Sequence, residues 1–258
     1  MKKIRALIMM MLILVFSRHT ATAEEKGFVF CYDPYPPFAV GEFDKYTREG
    51  LKVQALEELG QAINLKFKVI LLPLTRCLQE TAKGTLDGVL PIYKTSLREK
   101  TLVFTRPAFV QETVLFYRKK SFPNGLEWKN WSELSHLKLG TLLGTYIDKN
   151  MEENFQIKNN LHHANDLSSL FTQLNEKRID LVAIERSVGE WTIQKSNFSL
   201  SIASSRQSIS EQESFYAISK KSPLLEKLDL INGAIDARLK KAFGPAIPSP
   251  LLQSPGSL

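Results

Sequence analysis

The chain has 258 residues, 43% of them hydrophobic and 24% charged, with a formal net charge of +7. Four of its basic residues and none of its acidic ones fall in the first 23 positions, so the remainder carries only +3. An excess that weak excludes the electrostatic footprint of a nucleic-acid-binding protein.

Those first 23 residues read as a secretory signal peptide. Lys2, Lys3 and Arg5 form a basic start, residues 6–16 are an apolar run too short for a membrane span, and Ala21, Thr22 and Ala23 give a small-x-small cleavage site. No cysteine follows the run, which speaks against a lipid anchor. No later apolar stretch approaches the ~20 residues of a spanning helix. What is left fits one domain or two lobes and is expected to be exported and soluble.

Residues 27–31 open the mature chain with a short buried-strand pattern. Pro34, Pro36 and Pro37 then force residues 32–38 into an extended loop that carries Tyr32 and Tyr35. Gly50 leads a helix over 51–63, with Leu51, Ala55, Leu59, Ala62 and Ile63 on one stripe. The alternation of apolar and basic residues over 65–69 predicts a strand with one wet face. A helix from Pro73 to Gly84 carries Arg76 in its first turn, where a cation is poorly placed for the helix dipole. That turn follows a strand's carboxyl end, where open α/β sheets bind ligands. Arg76 is therefore either a ligand contact or a solvated side chain.

A buried strand follows over 86–91. Ser96 and Glu99 then have capping-box spacing, which predicts one helical turn carrying Arg98. A strand over 102–104 is ended by Arg106 and Pro107, and residues 114–119 form the next. Residues 128–134 read as a loop with a short helix. The strand over 137–142 runs into Leu143, Gly144, Thr145 and Tyr146 at a helix start, a place that favours an anion. Asn165 and Asp166 cap a helix with Leu167, Leu170, Phe171 and Leu174 on one face. It leads into 178–185, closed by Glu185, whose apolar-Asp-x-Val pattern at Asp180 echoes the one at Asp87. The chain crosses back near 210–213 into a strand over 214–219. Ser222 and Pro223 start a final helix that stops near Gly244, and the proline-rich tail beyond it has no core pattern.

Cys31 and Cys77 are the only cysteines. They are either bridged, as an exported setting permits, or two buried thiols in one core; spacing alone does not choose. The mature histidines are His136, His162 and His163, and adjacent residues on a strand point to opposite faces, so the last two make a poor metal clamp. No zinc-ligand spacing, phosphate loop or nucleophile elbow is present. No metal, cofactor or catalytic constellation is expected.

The stretch 84–109 resembles the signature of bacterial periplasmic solute-binding proteins, amino-acid-binding family 3, on Asp87, Thr95, Arg98, Phe104, Thr105, Pro107 and Phe109. The resemblance implies that Arg98 grips the ligand's α-carboxylate, and a guanidinium fork does match a carboxylate bidentately. It also implies that Tyr35, or next to it Tyr32, packs on the ligand. The turn at Gly144, Thr145 and Tyr146 would offer backbone N–H groups to the carboxylate, and Glu185 would pair with the α-ammonium. Thr95 belongs to the Arg98 turn. Arg76, Tyr93 and Leu142 have no family counterpart and fall where contacts to the ligand's side chain are expected. Gln54 stands where the family commonly has an aspartate.

The implied fold is α/β, a two-lobed type II periplasmic-binding fold with two crossing strands and a ligand cleft between the lobes. Residues 24–110 and 213–244 would form lobe one, 111–212 lobe two, and 245–258 a loosely ordered tail. The implied protein is a periplasmic monomer that closes on a small polar solute, an amino acid, and delivers it to a membrane ABC permease. Three rivals on the same fold are a ligand-sensing subunit, a member that binds something other than an amino acid, and a dehydratase-type enzyme using Glu185, although nothing in the sequence points to a raised pKa there. The exported protein should begin at or near Glu24. Mass spectrometry that finds residues 1–23 retained would refute the export reading.

Overall fold

The structure, a computed structural model, describes residues 27–143 and 149–243. The leader, the turn residues Gly144, Thr145 and Tyr146, and the tail from residue 245 lie outside the described residues. The first half runs β1 (Phe28–Tyr32), β2 (Tyr46–Thr47), α1 (Leu51–Ala62), β3 (Phe67–Leu71), α2 (Leu74–Lys83), β4 (Gly88–Ile92) and the single turn α3 (Ser96–Glu99). The long strand β5 (Leu102–Arg118) leads through a 3-10 turn (Trp131–Glu133) to β6 (Leu139–Leu142), α4 (Lys149–Ile157), β7 (Leu161–Ala164), α5 (Leu167–Asn175), β8 (Leu181–Glu185) and α6 (Arg186–Lys195). β9 (Ile202–Ser219) returns, followed by a 3-10 turn (Pro223–Lys227) and α7 (Leu228–Phe243).

Among the described residues the strands form one sheet in the order β2-β3-β1-β4-β9-β5-β8-β6-β7. Two similar halves are visible in it. β3, β1 and β4 run parallel in one, and β7, β6 and β8 run parallel in the other. Each half then meets one antiparallel strand, β4 on β9 and β8 on β5.

The Asp87–Asp180 echo has a physical cause in this arrangement. Asp87 donates its backbone N–H to the Val29 carbonyl (2.9 Å), while its Oδ2 accepts the Val29 N–H (2.8 Å). Asp180 treats Lys138 the same way, at 2.8 and 3.1 Å. Each aspartate pins the opening strand of its own half. The signature residue Asp87 is thus a structural residue, and it also accepts the Ser222 hydroxyl at 2.6 Å.

β5 and β9 differ from the sequence-based expectation. Neither is short: they span 17 and 18 residues and pair from Leu102↔Ser219 to Arg118↔Ile202. Pro107 does not end β5, because it lies at a shift of register, where a residue without an N–H is tolerated. Residues 202–213 are polar and serine-rich, without the alternation that marks a strand, and β5 imposes their extension. In β5 the alternate residues Val114 and Phe116 enter one apolar cluster and Leu115 and Tyr117 the other, so this stretch is buried on both faces.

Smaller differences concern caps and stripes. Thr95, not Ser96, caps α3, its side chain accepting the Arg98 N–H at 3.3 Å. In α1, Leu51 is exposed, while Lys52, Val53, Leu56 and Leu59 face inward. Gly84 ends α2 in the left-handed conformation, and Asp166 caps α5, both as the sequence indicates.

The cysteines are bridged. Cys31 in β1 and Cys77 in α2 form a disulfide that no solvent reaches. They stand 46 positions apart, so in the chain-entropy account removing the bridge costs about 4 kcal/mol of stability. Urea unfolding with and without reductant checks this. An unchanged midpoint would mean the bridge constrains nothing.

Candidate ligand cleft

Of the parallel strands, β1, β4 and β8 present their carboxyl ends to one cleft of about 240 Å³. Such ends, where the strand order reverses, are the ligand positions of open α/β sheets. Tyr32 ends β1, Tyr93 follows β4, Glu185 ends β8, and Arg98 rides on α3; all four line the cleft, as does Tyr35. The middle of the crossing pair supplies Gln111, Thr113, Ser210 and Gln212.

The loop bearing Tyr35 is fixed by the start of α1. A helix leaves its first N–H groups without internal partners, and here Leu51 and Lys52 donate theirs to the carbonyls of Pro37 and Phe38 at 2.8 and 3.0 Å. Gly50 permits the approach: it has φ 117°, and a Cβ there would stand 2.4 Å from the Phe38 carbonyl oxygen.

That docking also seats Lys52, which is fully buried. Its Nζ donates to the Pro91 carbonyl at 2.8 Å and to the Tyr32 hydroxyl at 3.1 Å. Burial pulls the ammonium down to about 8, opposed by Glu185 and Asp33. Burial pushes the Glu185 carboxyl up to about 7, opposed by Lys52 and by a hydrogen bond from Gln111 (2.8 Å). Sequence gave no sign of this raised pKa, because the cause is a tertiary one. Burial also raises Tyr32, Tyr35 and Tyr93, with Glu185 adding to each, so all three keep their protons as donors. Arg98 Nη1 donates to the Tyr93 carbonyl at 2.6 Å, leaving most of its fork unspent.

The other expected site residues are elsewhere. Arg76 makes an ion pair with Asp44 (2.7 Å) in which both side chains are more than half exposed. Leu142 packs against the core, Thr95 is the α3 cap, and Thr145 and Tyr146 lie outside the described residues. Lys52 and the four crossing-strand residues were missed. For Lys52 a signal did exist, a lone cation in register with the apolar Leu56, Leu59 and Gly60.

The sequence model of the bacterial extracellular solute-binding proteins, family 3, matches residues 28–133. The match covers less than half of the chain, and over that stretch, which holds Asp87, Thr95 and Arg98, the chain resembles this family. No curated protein matches it. Among solved structures, the second substrate-binding domain of a putative amino acid ABC transporter from Streptococcus pneumoniae is 18% identical, with a TM-score of 0.67 over 84% of this chain and 94% of that one. Substrate-binding domain 2 of GlnP from Lactococcus lactis, in its open conformation, is 17% identical, with a TM-score of 0.68 over 84% and 90%. The chain therefore shares the two-lobed type II fold of these domains.

The raised Glu185 carboxyl has a consequence for stability. The folded protein holds a proton there that the unfolded chain gives up near an ordinary carboxylate pKa. Stability therefore falls as pH rises from about 5 to about 7. Glu185→Gln lacks that loss and should gain on the wild type across the window, measured by urea unfolding at both ends. A difference independent of pH would show that the carboxyl titrates normally.

Proposed function

We propose that this solute-binding protein captures an amino acid in the periplasm by closing its lobes, residues 24–110 with 213–244 against 111–212, and delivers it to a membrane ABC permease. The observation that carries the reading is the pairing of charges in one cleft, Arg98 from the first lobe and Glu185 from the second. A zwitterion needs a cation and an anion held apart in this way. The carboxylate would take the free edge of the Arg98 guanidinium, and the ammonium would take Glu185 with Gln111 fixing its orientation. Because both lobes touch one small molecule, binding and closure are one event. The structural neighbours, a substrate-binding domain of a putative amino acid ABC transporter and substrate-binding domain 2 of GlnP, support the same direction.

A raised carboxyl in a cleft is also what a general acid or base requires, and this favours a second reading, a dehydratase-type enzyme. Product from prephenate or arogenate would establish it.

Two substitutions test the main reading. Arg98→Ala should cost ~2–5 kcal/mol of binding, with lysine restoring only part. Glu185→Gln should weaken an α-amino acid far more than its deaminated analogue, while the wild type becomes more compact on binding. Calorimetry and solution scattering provide both readouts. Intact amino-acid affinity in Glu185→Gln would deprive that residue of a ligand role and remove the amino-acid half of the proposal.

A further inference from the structure

The amino-acid reading leaves the ligand's side chain open, and the floor of the first lobe constrains it. Lys52 lies in the first turn of α1, where the helix dipole disfavours a cation. Besides its bonds to Pro91 and Tyr32, its Nζ stands 4.6 Å from the centre of the Phe38 ring and 5.0 Å from that of Tyr32. Pro91 and Tyr32 are both walls of the cleft. The buried ammonium thus sits one side chain behind the surface a ligand would touch.

One consequence concerns hydrogen bonds. A phenol oxygen that accepts from an ammonium keeps its own proton for another partner, so Tyr32 offers a donor. The Pro91 and Tyr93 carbonyls each already accept a bond, from Lys52 and from Arg98. Donors left unspent on this side of the cleft include the Tyr32 hydroxyl and most of the Arg98 fork.

The other consequence concerns charge. Glu185 and Asp33 are the counter-charges that favour ionised Lys52 against its burial, Glu185 the stronger. A ligand ammonium that pairs with Glu185 takes over that counter-charge and adds a like charge nearby. A buried ion left undercompensated is costly. Asp33 remains, and a carboxylate on the ligand's side chain, received by the Tyr32 hydroxyl, puts a second negative charge close to the buried ammonium; a cationic side chain adds a further like charge.

We propose that Lys52 is a positioning residue that makes the cleft selective for acidic amino acids, whose side-chain carboxylate meets the Tyr32 hydroxyl. The inference rests on the amino-acid reading above. Calorimetry on the exported protein tests it with L-glutamate, L-aspartate, their amides, L-lysine and 2-oxoglutarate, using wild type, Lys52→Met and Tyr32→Phe. The wild type should bind the better acidic ligand at least about tenfold more tightly than its amide, and lysine more weakly still. Both variants should narrow the acid-to-amide ratio while amide affinity changes little, whereas a purely structural role would weaken both ligands in parallel. Tyr32→Phe keeps the ring, so it decides the matter if Lys52→Met does not fold. Equal or tighter wild-type binding of an amide or of lysine, or a parallel loss in Tyr32→Phe, overturns the inference and leaves the amino-acid reading in place. Binding of 2-oxoglutarate with every amino acid refused overturns both.

Discussion

The antiparallel pairing of β5 with β9 is the constraint on which the rest of the molecule depends. One end of the pair extends the first half-sheet through β4, and the other extends the second through β8. Neither half could be placed relative to the other without it. Its ends are apolar, at Leu102, Val103 and Phe104 and again from Val114 to Tyr117, but its middle rungs set Gln111 against Gln212 and Glu112 against Glu211. Like charges opposite one another are unfavourable, and Glu112 is relieved by Arg186 at 2.8 Å. The middle of the pair is therefore held mainly by backbone hydrogen bonds with little apolar packing. Segments of that kind open at the lowest cost, and this one lies along the cleft.

The two halves use one solution to one problem. A parallel sheet must be closed at the strand ends that carry no ligand, and Asp87 and Asp180 do this with paired bonds to the neighbouring opening strand. With the amino ends pinned, the carboxyl ends are free to carry Tyr32, Tyr93 and Glu185. The disulfide beside Tyr32 and the docking of Pro37 and Phe38 on α1 tighten the first half further.

What could be read in the sequence follows from this division. Caps, glycine stops and buried strands are local, and Gly84, Asp166 and the Arg98 turn were placed within a residue or two. Arg98 was legible as a cleft residue because its turn lies within a recognisable signature, and Glu185 because it closes the strand that echoes the one at Asp87. The polar half of β9 was not, since its extension comes from a partner about a hundred residues away rather than from its own pattern. The same holds for Gln111, Thr113, Ser210 and Gln212, which are ordinary polar residues until the pair brings them together. Arg76 was a fair suspicion on dipole grounds, but Asp44 is near enough to satisfy it at the surface.

Lys52 is the place where the local rules and the fold disagree, and the disagreement is informative. An apolar side chain of similar length at that position would complete the face with Leu56 and Leu59 and avoid both the dipole penalty and the desolvation of a charge. The fold instead surrounds the ammonium with a carbonyl, a phenol oxygen and two ring faces, each at a useful distance. Two of those partners belong to cleft residues, and the carboxylate that most favours its charge belongs to the opposite half. A charge placed only for stability would have its counter-ion within its own core. Lys52 has one counter-charge of that kind, Asp33, in its own half and a stronger one, Glu185, across the cleft, and the second ties the electrostatics of the first half to whatever occupies the space between them.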